Sequence, residues 1–275
     1  MGTRGRRSRY GYICLIDHVL GVDPRVHPQW GAGFPESANR QPYTIADPFH
    51  ESMVTMGFFA GITGLGLSTA ILVIPQRQTA LVAKQAVEVD ILSGGRLRLG
   101  LAVGWNPIEY ACLGQDFHRR GDRLDEQISL LRRFWSDETV SLDGGSTGSK
   151  AQGSRLCLFR GRFPCGWADT PERVLPRVGE LADGWIGGGD PDRVRKSMGT
   201  IWRYAAENGR DPDAIGFEAL LGTGYGQSIE DVPKRAAAWT ELATHFTVDT
   251  MGAGLKGAEH IDAMERIAGL CRHEI

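Results

Sequence analysis

The chain has 275 residues, of which 41% are hydrophobic and 23% charged, and its formal net charge is −2 at pH 7. This length and apolar content suffice for one substantial α/β core, and we expect residues 1–275 to form a single domain. The near-neutral charge, without a basic stripe carrying interleaved aromatic residues, argues against a nucleic-acid partner.

The five cysteines are odd in number and scattered through the chain, which is typical of a reducing compartment and predicts a cytoplasmic protein. No C-x-x-C or H-E-x-x-H motif occurs, so the sequence predicts no metal site. The first ten residues are basic but lack an apolar segment, so they do not indicate a secretory signal.

The first half of the chain alternates strand and helix patterns. "YICLI" at 12–16 predicts a strand, and a loop rich in proline and glycine follows to about residue 48. Residues 52–76 carry no charge, but four glycines interrupt them and Pro75 lies at their end. We therefore expect a buried helix, a turn and the strand "STAILVI" here, and no transmembrane span.

Three further elements complete this half: the helix "TALVAKQAVEVDILS", the strand "RLRLGLAV" and, after "GWNP" and a loop, the amphipathic helix "RGDRLDEQISLLRRFWS". The second half continues with "PERVLPRVGELA" (helix), "DGWIG" (strand), "DPDRVRKSMGTIWRYAAENG" (helix), "IGFEALL" (strand), "SIEDVPKRAAAWTELATH" (helix), "FTVDTM" (strand) and "HIDAMERIAGL" (helix). Repeated strand–helix units predict a parallel sheet with right-handed crossovers. Six strands are visible and one position is obscured. Periodicity leaves a closed barrel and a doubly wound sheet equally open.

Functional side chains of parallel α/β folds follow the C-terminal ends of strands. The segments at such positions are Asp17 and His18, residues 70–75, residues 104–106, residues 187–189 and residues 250–252. His18 is either a base or anion stabiliser or a histidine bonded to the backbone at the edge of the core. The glycines at 187–189 either hold a phosphate at a helix N-terminus or form a plain turn. These residues alone name no reaction.

The run from "PQRQTALVAKQAVEVDILSGGRLRLGLAVGWNP" to "LLRRFW" resembles the luciferase-like monooxygenase superfamily, in particular its oxidoreductases that use the deazaflavin coenzyme F420. The segments "LIDHVLGVDP", "DPFHE", "LADGWIGGGDP", "AIGFEA" and "DTMGAGL" fit the same branch. The resemblance implies a (β/α)8 TIM barrel with the cofactor ring over its C-terminal mouth. It also implies a small organic substrate and a possible homodimer.

Carried over by position, the resemblance implies that Asp17 and His18 lie beside the ring, with His18 handling a proton. It implies a cis peptide at the Ala70–Ile71 bond, supporting one ring face. It further implies cofactor contacts from Val103, Gly104, Trp105 and Asn106. Related sugar-phosphate dehydrogenases carry a glutamate proton donor where Trp105 stands, which argues against that reaction here.

Three interpretations of activity follow from the resemblance. The first is an F420-dependent oxidoreductase that transfers a hydride, with residues 20–48 as a lid or an inert surface loop. The second is a monooxygenase that uses reduced FMN and dioxygen. The third is a non-catalytic remnant that binds neither cofactor.

Two departures from the family support the third interpretation. The family begins with a strand and helix that have no counterpart before Tyr12, so the barrel is expected to lack its first strand–helix unit. In addition, "GSRLCLFRGRFPCGW" at 153–167 shows neither helical nor strand periodicity where the family carries a run like "NPLPVQRPIPVWIGG".

Residues 144–169 carry the second departure, and we interpret them as translated out of frame. In the shifted frame, the last base of each codon from residue 155 to 168 is read with the first two bases of the next codon. Permitted codon choices then yield Pro-Leu-Pro-Val-(Gln or Pro)-Arg-Pro-Leu-Pro-Val-Trp-Leu-Gly-Gly. The alternative is a divergent loop. In the printed sequence, Ala168 and Asp169 stand where the family's phosphate-binding glycine pair belongs. A carboxylate there would repel the cofactor phosphate.

Overall fold

The computed structural model describes residues 10–28, 43–140, 165–167, 171–223 and 227–271. Strands and helices alternate along these residues. The strands are β1 (Tyr12–Leu15), β2 (Gly66–Val73), β3 (Leu97–Ala102), β4 (Cys165–Trp167), β5 (Gly184–Gly187), β6 (Gly216–Gly222) and β7 (His245–Asp249). The helices are α1 (Ser52–Ile62), α2 (Thr79–Ser93), α3 (Pro107–Cys112), α4 (Arg120–Ser136), α5 (Pro171–Leu181), α6 (Pro191–Glu207), α7 (Val232–Ala237) and α8 (Glu259–Leu270).

All paired strands are parallel, which confirms the predicted class of fold. Strands β1 to β4 pair in chain order in one sheet, and β5 to β7 pair in chain order in a second. The Tyr12 hydroxyl of β1 donates to the Phe246 carbonyl oxygen of β7 at 2.8 Å. The first and last described strands therefore approach each other, as they do in a barrel of the TIM type.

A polar layer fills the barrel interior near the start of the strands. Arg98 of β3 forms an ion pair with Glu218 of β6 at 2.7 Å, which joins the two sheets. The Arg98 guanidinium also lies 4.7 Å from the centre of the Tyr12 ring. Burial and the Glu218 charge raise the pKa of Tyr12 to about 12 and that of Cys14 to about 11. Both groups therefore stay uncharged at neutral pH.

The helices cover the outside of the strands and enclose the main apolar core. Helix α2 buries Val82, Ala86 and Val87 against this core. It ends at Gly94, whose φ of +68° is the left-handed conformation that commonly closes a helix. Trp135 of α4 donates from its ring nitrogen to the Ala83 carbonyl oxygen at 3.2 Å. The structure thus confirms the helices that the sequence predicted for α2 and α4.

Two elements were wrong or missing in the sequence prediction. Strand β4 lies inside the stretch that shows no periodicity, and its residues pair with β3 from Leu99 to Leu101. Helix α3 lies where a loop was predicted after "GWNP". It forms because the Asn106 side chain accepts the first free amides of the helix and Pro107 occupies its first turn.

The helix predicted over 228–245 is shorter in the structure. A 3-10 turn over Ile229–Asp231 precedes α7, and the chain turns after Ala237. Over the described residues, no helix is long and apolar enough to cross a membrane.

Candidate functional site

The carboxyl ends of β1, β2 and β3 bring most of the predicted site residues together. His18 follows β1, the Ala70–Ile71 bond lies in the second half of β2, and Trp105 follows β3. The ring centroids of His18 and Trp105 are 6.5 Å apart. The three strand ends therefore form one site, as the topology predicted.

Asp17 is buried and its carboxylate is committed to groups of the protein. It accepts a hydrogen bond from the Val73 amide at 2.9 Å and one from the Ser52 hydroxyl at 3.3 Å. Two nitrogens of Arg77 also bind it, at 2.7 and 3.3 Å. These contacts fix the ends of β1 and β2 relative to each other.

Arg77 extends this network to helix α1. The remaining guanidinium nitrogen, Nη1, donates to Glu51 Oε1 at 2.8 Å. Glu51 Oε2 accepts from the Val54 amide at the start of the helix. Burial lowers the pKa of Arg77, but the Asp17 and Glu51 carboxylates outweigh this and raise the pKa above its usual value. Arg77 is therefore a permanent cation behind the site.

His18 lies in an aromatic cluster made of His18, Tyr43, Phe49 and Trp105. Its ring is 3.9 Å from the Tyr43 ring between centroids and 4.9 Å from that of Phe49. Tyr43 in turn lies 5.7 Å from Trp105. The His18 side chain is 13% exposed, so the cluster leaves only part of the imidazole open to the mouth of the barrel.

Glu109 is the buried carboxylate of this cluster. Its Oε1 accepts from the amides of Val19 at 2.8 Å and Leu20 at 3.2 Å, and it lies 3.5 Å from His18 Nδ1. Its Oε2 accepts from the Gln76 side-chain amide at 3.1 Å. Burial raises the pKa of Glu109, but His18, Gln76 and the Leu20 amide lower it by more than burial raises it. The net pKa is therefore below its usual value. The site thus keeps a negative charge behind the imidazole.

Asn106 joins this carboxylate to the aromatic cluster. Its Oδ1 accepts from the amides of Ile108 and Glu109, while its Nδ2 donates to the Tyr43 hydroxyl at 2.7 Å. Burial and the Glu109 charge raise the pKa of Tyr43, which therefore stays a neutral phenol. Asn106 was predicted to bind a cofactor, and in the structure it is fully buried in these internal contacts.

The peptide bond between Ala70 and Ile71 is cis, as the resemblance implied. The pairing of β2 with β3 shifts register between Thr69 and Leu72, so this bond lies in a bulge of the strand. Ala70 and Ile71 are both partly exposed, whereas the residues on either side of them are buried.

Val103, Gly104 and Trp105 follow β3 and are also partly exposed. Gly104 has a φ of +68°, and a Cβ atom there would lie 2.6 Å from Val73 Cγ1. Any other residue at this position would be strained and would force the Val73 side chain to shift, so glycine lets the end of β3 pass close to the end of β2. The Val103 carbonyl oxygen accepts from the buried Tyr110 hydroxyl at 2.5 Å, which ties this loop to α3.

The other predicted segments are not part of this cluster. Ala168 and Asp169 lie outside the described residues. At the end of β5, Gly189 has a φ of +111°, and the Asp190 carboxylate accepts from the Arg193 amide to cap α6. After β7, Thr250 Oγ1 lies 2.8 Å from His260 Nδ1.

One buried polar atom at the strand ends, Gln76 Oε1, has no hydrogen-bond partner within the described part of the chain. The same part of the chain contains no group of three or more potential metal ligands. The site therefore combines small and apolar surface with one unsatisfied amide oxygen, Gln76 Oε1. Such a surface fits the face and polar edge of a planar heterocycle, the kind of group that the resemblance implied.

Chemically, this arrangement can hold and move one proton. Because Nδ1 of His18 faces Glu109, Nε2 is the ring atom that remains for a ligand. A carboxylate behind an imidazole fixes the orientation of the ring. Asp17 differs, since Arg77 neutralises it and its two oxygens are occupied.

Sequence reasoning missed Glu109, Gln76, Tyr43 and Phe49. Glu109 lies on a helix that was predicted as a loop, so its approach to β1 could not be anticipated. Tyr43 and Phe49 lie in the loop before α1, where no periodicity fixes a side-chain direction. One signal was present: Asn106-Pro107 is a typical start of a helix, and it places Glu109 in the first turn.

Comparison with known proteins gives one family. The profile of the luciferase-like monooxygenase family matches residues 31–268. Among curated proteins, the uncharacterized protein Rv0940c of Mycobacterium tuberculosis (strain ATCC 25618 / H37Rv) is 31% identical over 191 residues. That match covers 64% of this chain and 64% of the relative, so the chain spans just under two thirds of the relative's length.

Solved structures of the same fold include proteins with different cofactors. Monooxygenase RslO1 from Streptomyces bottropensis is 14% identical, with a TM-score of 0.71 over 97% of this chain and 88% of its own. Coenzyme F420 dependent tetrahydromethanopterin reductase from Methanopyrus kandleri is 19% identical, with a TM-score of 0.56 over 69% of this chain and 60% of its own. Riboflavin lyase RcaE, solved with modified FMN and riboflavin, is 17% identical, with a TM-score of 0.62 over 77% of this chain and 52% of its own.

Proposed function

The chain belongs to the luciferase-like monooxygenase family, and we propose that it is an oxidoreductase that uses coenzyme F420 to transfer a hydride to or from a small organic substrate. The observation that carries the proposal is His18, held in the aromatic cluster with the buried Glu109 carboxylate 3.5 Å from Nδ1. Hydride transfer to a carbonyl group, or from an alcohol, requires one accompanying proton. His18 Nε2 is the group that we assign to that proton.

A bound deazaflavin supplies the hydride, and the protein supplies position and proton handling. Ala70, Ile71 and Val103 would contact the ring face, because they are the partly exposed apolar residues beside His18. Trp105 and the rest of the aromatic cluster would exclude water from the reacting atoms. Glu109 would keep Nδ1 of His18 oriented, so that Nε2 points away from it. Asp17 would position the ends of β1 and β2 through Val73 and Arg77.

A flavin-dependent monooxygenase is the second candidate, and a specific observation favours it. The structure of monooxygenase RslO1 matches almost the whole chain, and riboflavin lyase, which was solved with FMN, shares the fold. The site residues fit the ring of either cofactor. The two candidates differ in which cofactor binds and in whether dioxygen is consumed.

Cofactor titration tests the proposal. F420 fluorescence should be quenched on addition of the protein, while FMN should bind at least tenfold more weakly. The variant Trp105→Phe should weaken F420 binding, because it reduces the aromatic surface beside His18. The matched control Trp202→Phe lies on α6 and should leave binding unchanged. Tight binding of FMN, with oxygen consumption, would replace the proposal by the monooxygenase.

Proton handling by His18 is tested on a substrate found by screening small carbonyl compounds against reduced F420. His18→Asn should keep F420 affinity within about threefold and lower kcat by about 10²–10⁴-fold, the usual contribution of a general acid–base group. Equal losses of binding and turnover would argue against a catalytic His18.

The third candidate is the non-catalytic remnant. The identity of residues 144–170 in the natural protein tests it. Peptide mass spectra of the protein from its own cells should read Pro-Val-Trp-Leu-Gly-Gly if the frame interpretation is correct. Peptides that match the printed Ala168 and Asp169, together with failure to bind F420 or FMN, would make the remnant the conclusion. We also propose a cytoplasmic location, to which the free thiols Cys14 and Cys112 are suited.

A further inference from the structure

The loop between β1 and α1 carries exposed large hydrophobic side chains next to residues of the aromatic cluster. Its described parts are residues 19–28 and 43–50, which we call its two limbs. The side chains in question are those of Val19, Leu20 and Ile45, which we call the mouth patch; they are 41%, 37% and 58% exposed. Apolar surface beside a reactive group is typical of a small-molecule site, in which a few polar atoms orient a mostly apolar ligand.

The first limb is fixed relative to His18 by its backbone. The amides of Val19 and Leu20 donate to Glu109 Oε1 at 2.8 and 3.2 Å, and this oxygen lies 3.5 Å from His18 Nδ1. Because consecutive Cα atoms are about 3.8 Å apart, both Cα atoms lie within about 8 Å of that of His18. Their exposed side chains are therefore close to the imidazole that a ligand meets.

The second limb returns to the first and brings Ile45 to the same place. The Ile45 amide donates to the Val22 carbonyl oxygen at 3.2 Å. A Cβ atom at Gly21 would lie 2.6 Å from the Ile45 Cα, so glycine there lets the two limbs approach closely. Tyr43, two residues before Ile45, has its ring centroid 3.9 Å from that of His18. Ile45 is therefore held near His18 as well.

The charges of the two limbs are compensated within the protein. Arg25 binds Asp23 at 2.7 Å, and the Asp47 carboxylate accepts from the Thr44 amide at 2.7 Å. The two limbs as described contain no lysine and no second arginine. Arg77, behind the site, is occupied by two carboxylates. A phosphate or carboxylate group of a substrate would therefore meet no open arginine or lysine on these limbs.

We propose that the site takes an uncharged substrate that carries a hydrocarbon group, and that this group packs on the mouth patch. The inference rests on the function proposed above, because it places the oxygen of the substrate at His18 Nε2 and the hydrocarbon group on the neighbouring limbs. The mouth patch then selects by apolar area. Each CH₂ group that it buries should strengthen binding by about three- to fourfold.

Binding of primary aliphatic amides, from acetamide to octanamide, tests the inference without turnover. These amides offer a carbonyl oxygen to His18 but resist reduction by a deazaflavin. Calorimetric titration with and without F420 should show a dissociation constant that falls about three- to fourfold for each added methylene until the mouth patch is covered. Hexanoate, an anion of the same length, should bind at least about tenfold more weakly than hexanamide, because its charge must be desolvated without a partner.

Variants of the mouth patch locate the effect. Leu20→Asp should abolish the dependence on chain length and leave the affinity for acetamide within about twofold, because only the longer amides reach the patch. Ile45→Asp should act in the same way. Leu20→Met keeps an apolar side chain of similar volume and should retain the dependence. Ile261→Asp is the matched control: it lies on α8, is 63% exposed and should bind the amides like the wild type.

The outcomes separate this inference from the proposed function. If the protein does not quench F420 fluorescence, the proposed function fails, while the amide series without cofactor still measures the mouth patch. Equal affinity for acetamide and octanamide, or tighter binding of hexanoate than of hexanamide, would overturn the inference even where F420 binds. So would a chain-length dependence that persists in both aspartate variants, provided that their circular dichroism spectra match the wild type.

Discussion

Glycine 104 shows how closely the candidate site is packed at the scale of single residues. Its backbone lies in the left-handed region, and its missing side chain leaves room for Val73 at the end of β2. The backbone amide of the same residue, Val73, donates to Asp17. Val73 therefore contacts the ends of both β1 and β3.

Gly104→Ala should therefore lower stability for two reasons, and a control separates them. Gly114 has nearly the same φ, +66°, but open space around its Cβ position. We expect Gly114→Ala to cost about 1 kcal/mol in the free energy of unfolding, because it adds only backbone strain. Gly104→Ala should cost about 1–3 kcal/mol more, because the new methyl group meets Val73. Urea unfolding measures both values, and equal costs would contradict the close approach.

Part of this site could be predicted from the sequence and part could not. Asp17, His18 and residues 103–106 follow apolar strands, Ala70 and Ile71 lie in the second half of one, and topology alone brings strand ends together. The residue that orients His18 could not be predicted, because Glu109 lies in the first turn of a short helix that was predicted as a loop. Tyr43 reaches the ring from a loop whose path depends on tertiary contacts.

At the scale of secondary structure, an ion pair inside the barrel helps to join the two sheets. Arg98 is 21% exposed and Glu218 6%, so both charges are largely removed from water. Replacing one partner leaves the other charge without compensation in a medium of low dielectric constant.

Arg98→Met should accordingly lower the free energy of unfolding by about 3 kcal/mol. The exposed pair of Arg195 with Asp192 on α6 provides the comparison, and Arg195→Met should cost less than about 1 kcal/mol. In urea unfolding, the double variant Arg98→Met/Glu218→Gln should recover part of the loss, because no buried charge remains. Similar costs for the two single variants would show that the interior pair is as well solvated as the surface pair.

Most helices and strands could be predicted. In α4 and α6, for example, apolar residues recur with the 3.6-residue period of a helix, which is visible in the sequence alone. Strand β4 was not, because three residues are too few for a period of two to be visible. What defines it is the row of amides and carbonyls of β3 alongside, from Leu99 to Leu101. The length of helix α7 was overestimated, because the apolar residues continue in sequence after Ala237, where the helix ends.

At the scale of the whole molecule, the buried Glu109 should make stability depend on pH. Its pKa in the folded state lies below 4.5, the usual value of a glutamate side chain in an unfolded chain. The stabilisation is therefore present above about pH 4.5 and is lost as the pH falls through the folded-state pKa.

Glu109→Gln should be less stable than the wild type by about 1–3 kcal/mol at pH 7, because the hydrogen bonds from Val19, Leu20 and Gln76 lose their charged acceptor. The difference should shrink as the pH falls below about 4.5. Thermal unfolding from pH 7 to pH 3 measures it. Glu207→Gln, at an exposed carboxylate of α6, should follow the wild type throughout. A constant difference between Glu109→Gln and the wild type would contradict a charged Glu109.

Glu51 carries a consequence that reaches from the surface to the site. One of its oxygens begins α1 through the Val54 amide, and the other holds Arg77, which holds Asp17 beside His18. The first turn of α1 and the end of β1 thus share a single carboxylate. A change at this half-exposed surface residue would loosen the start of the helix and the strand end that carries His18 together, so the site can be altered from the surface by a residue that contacts no ligand.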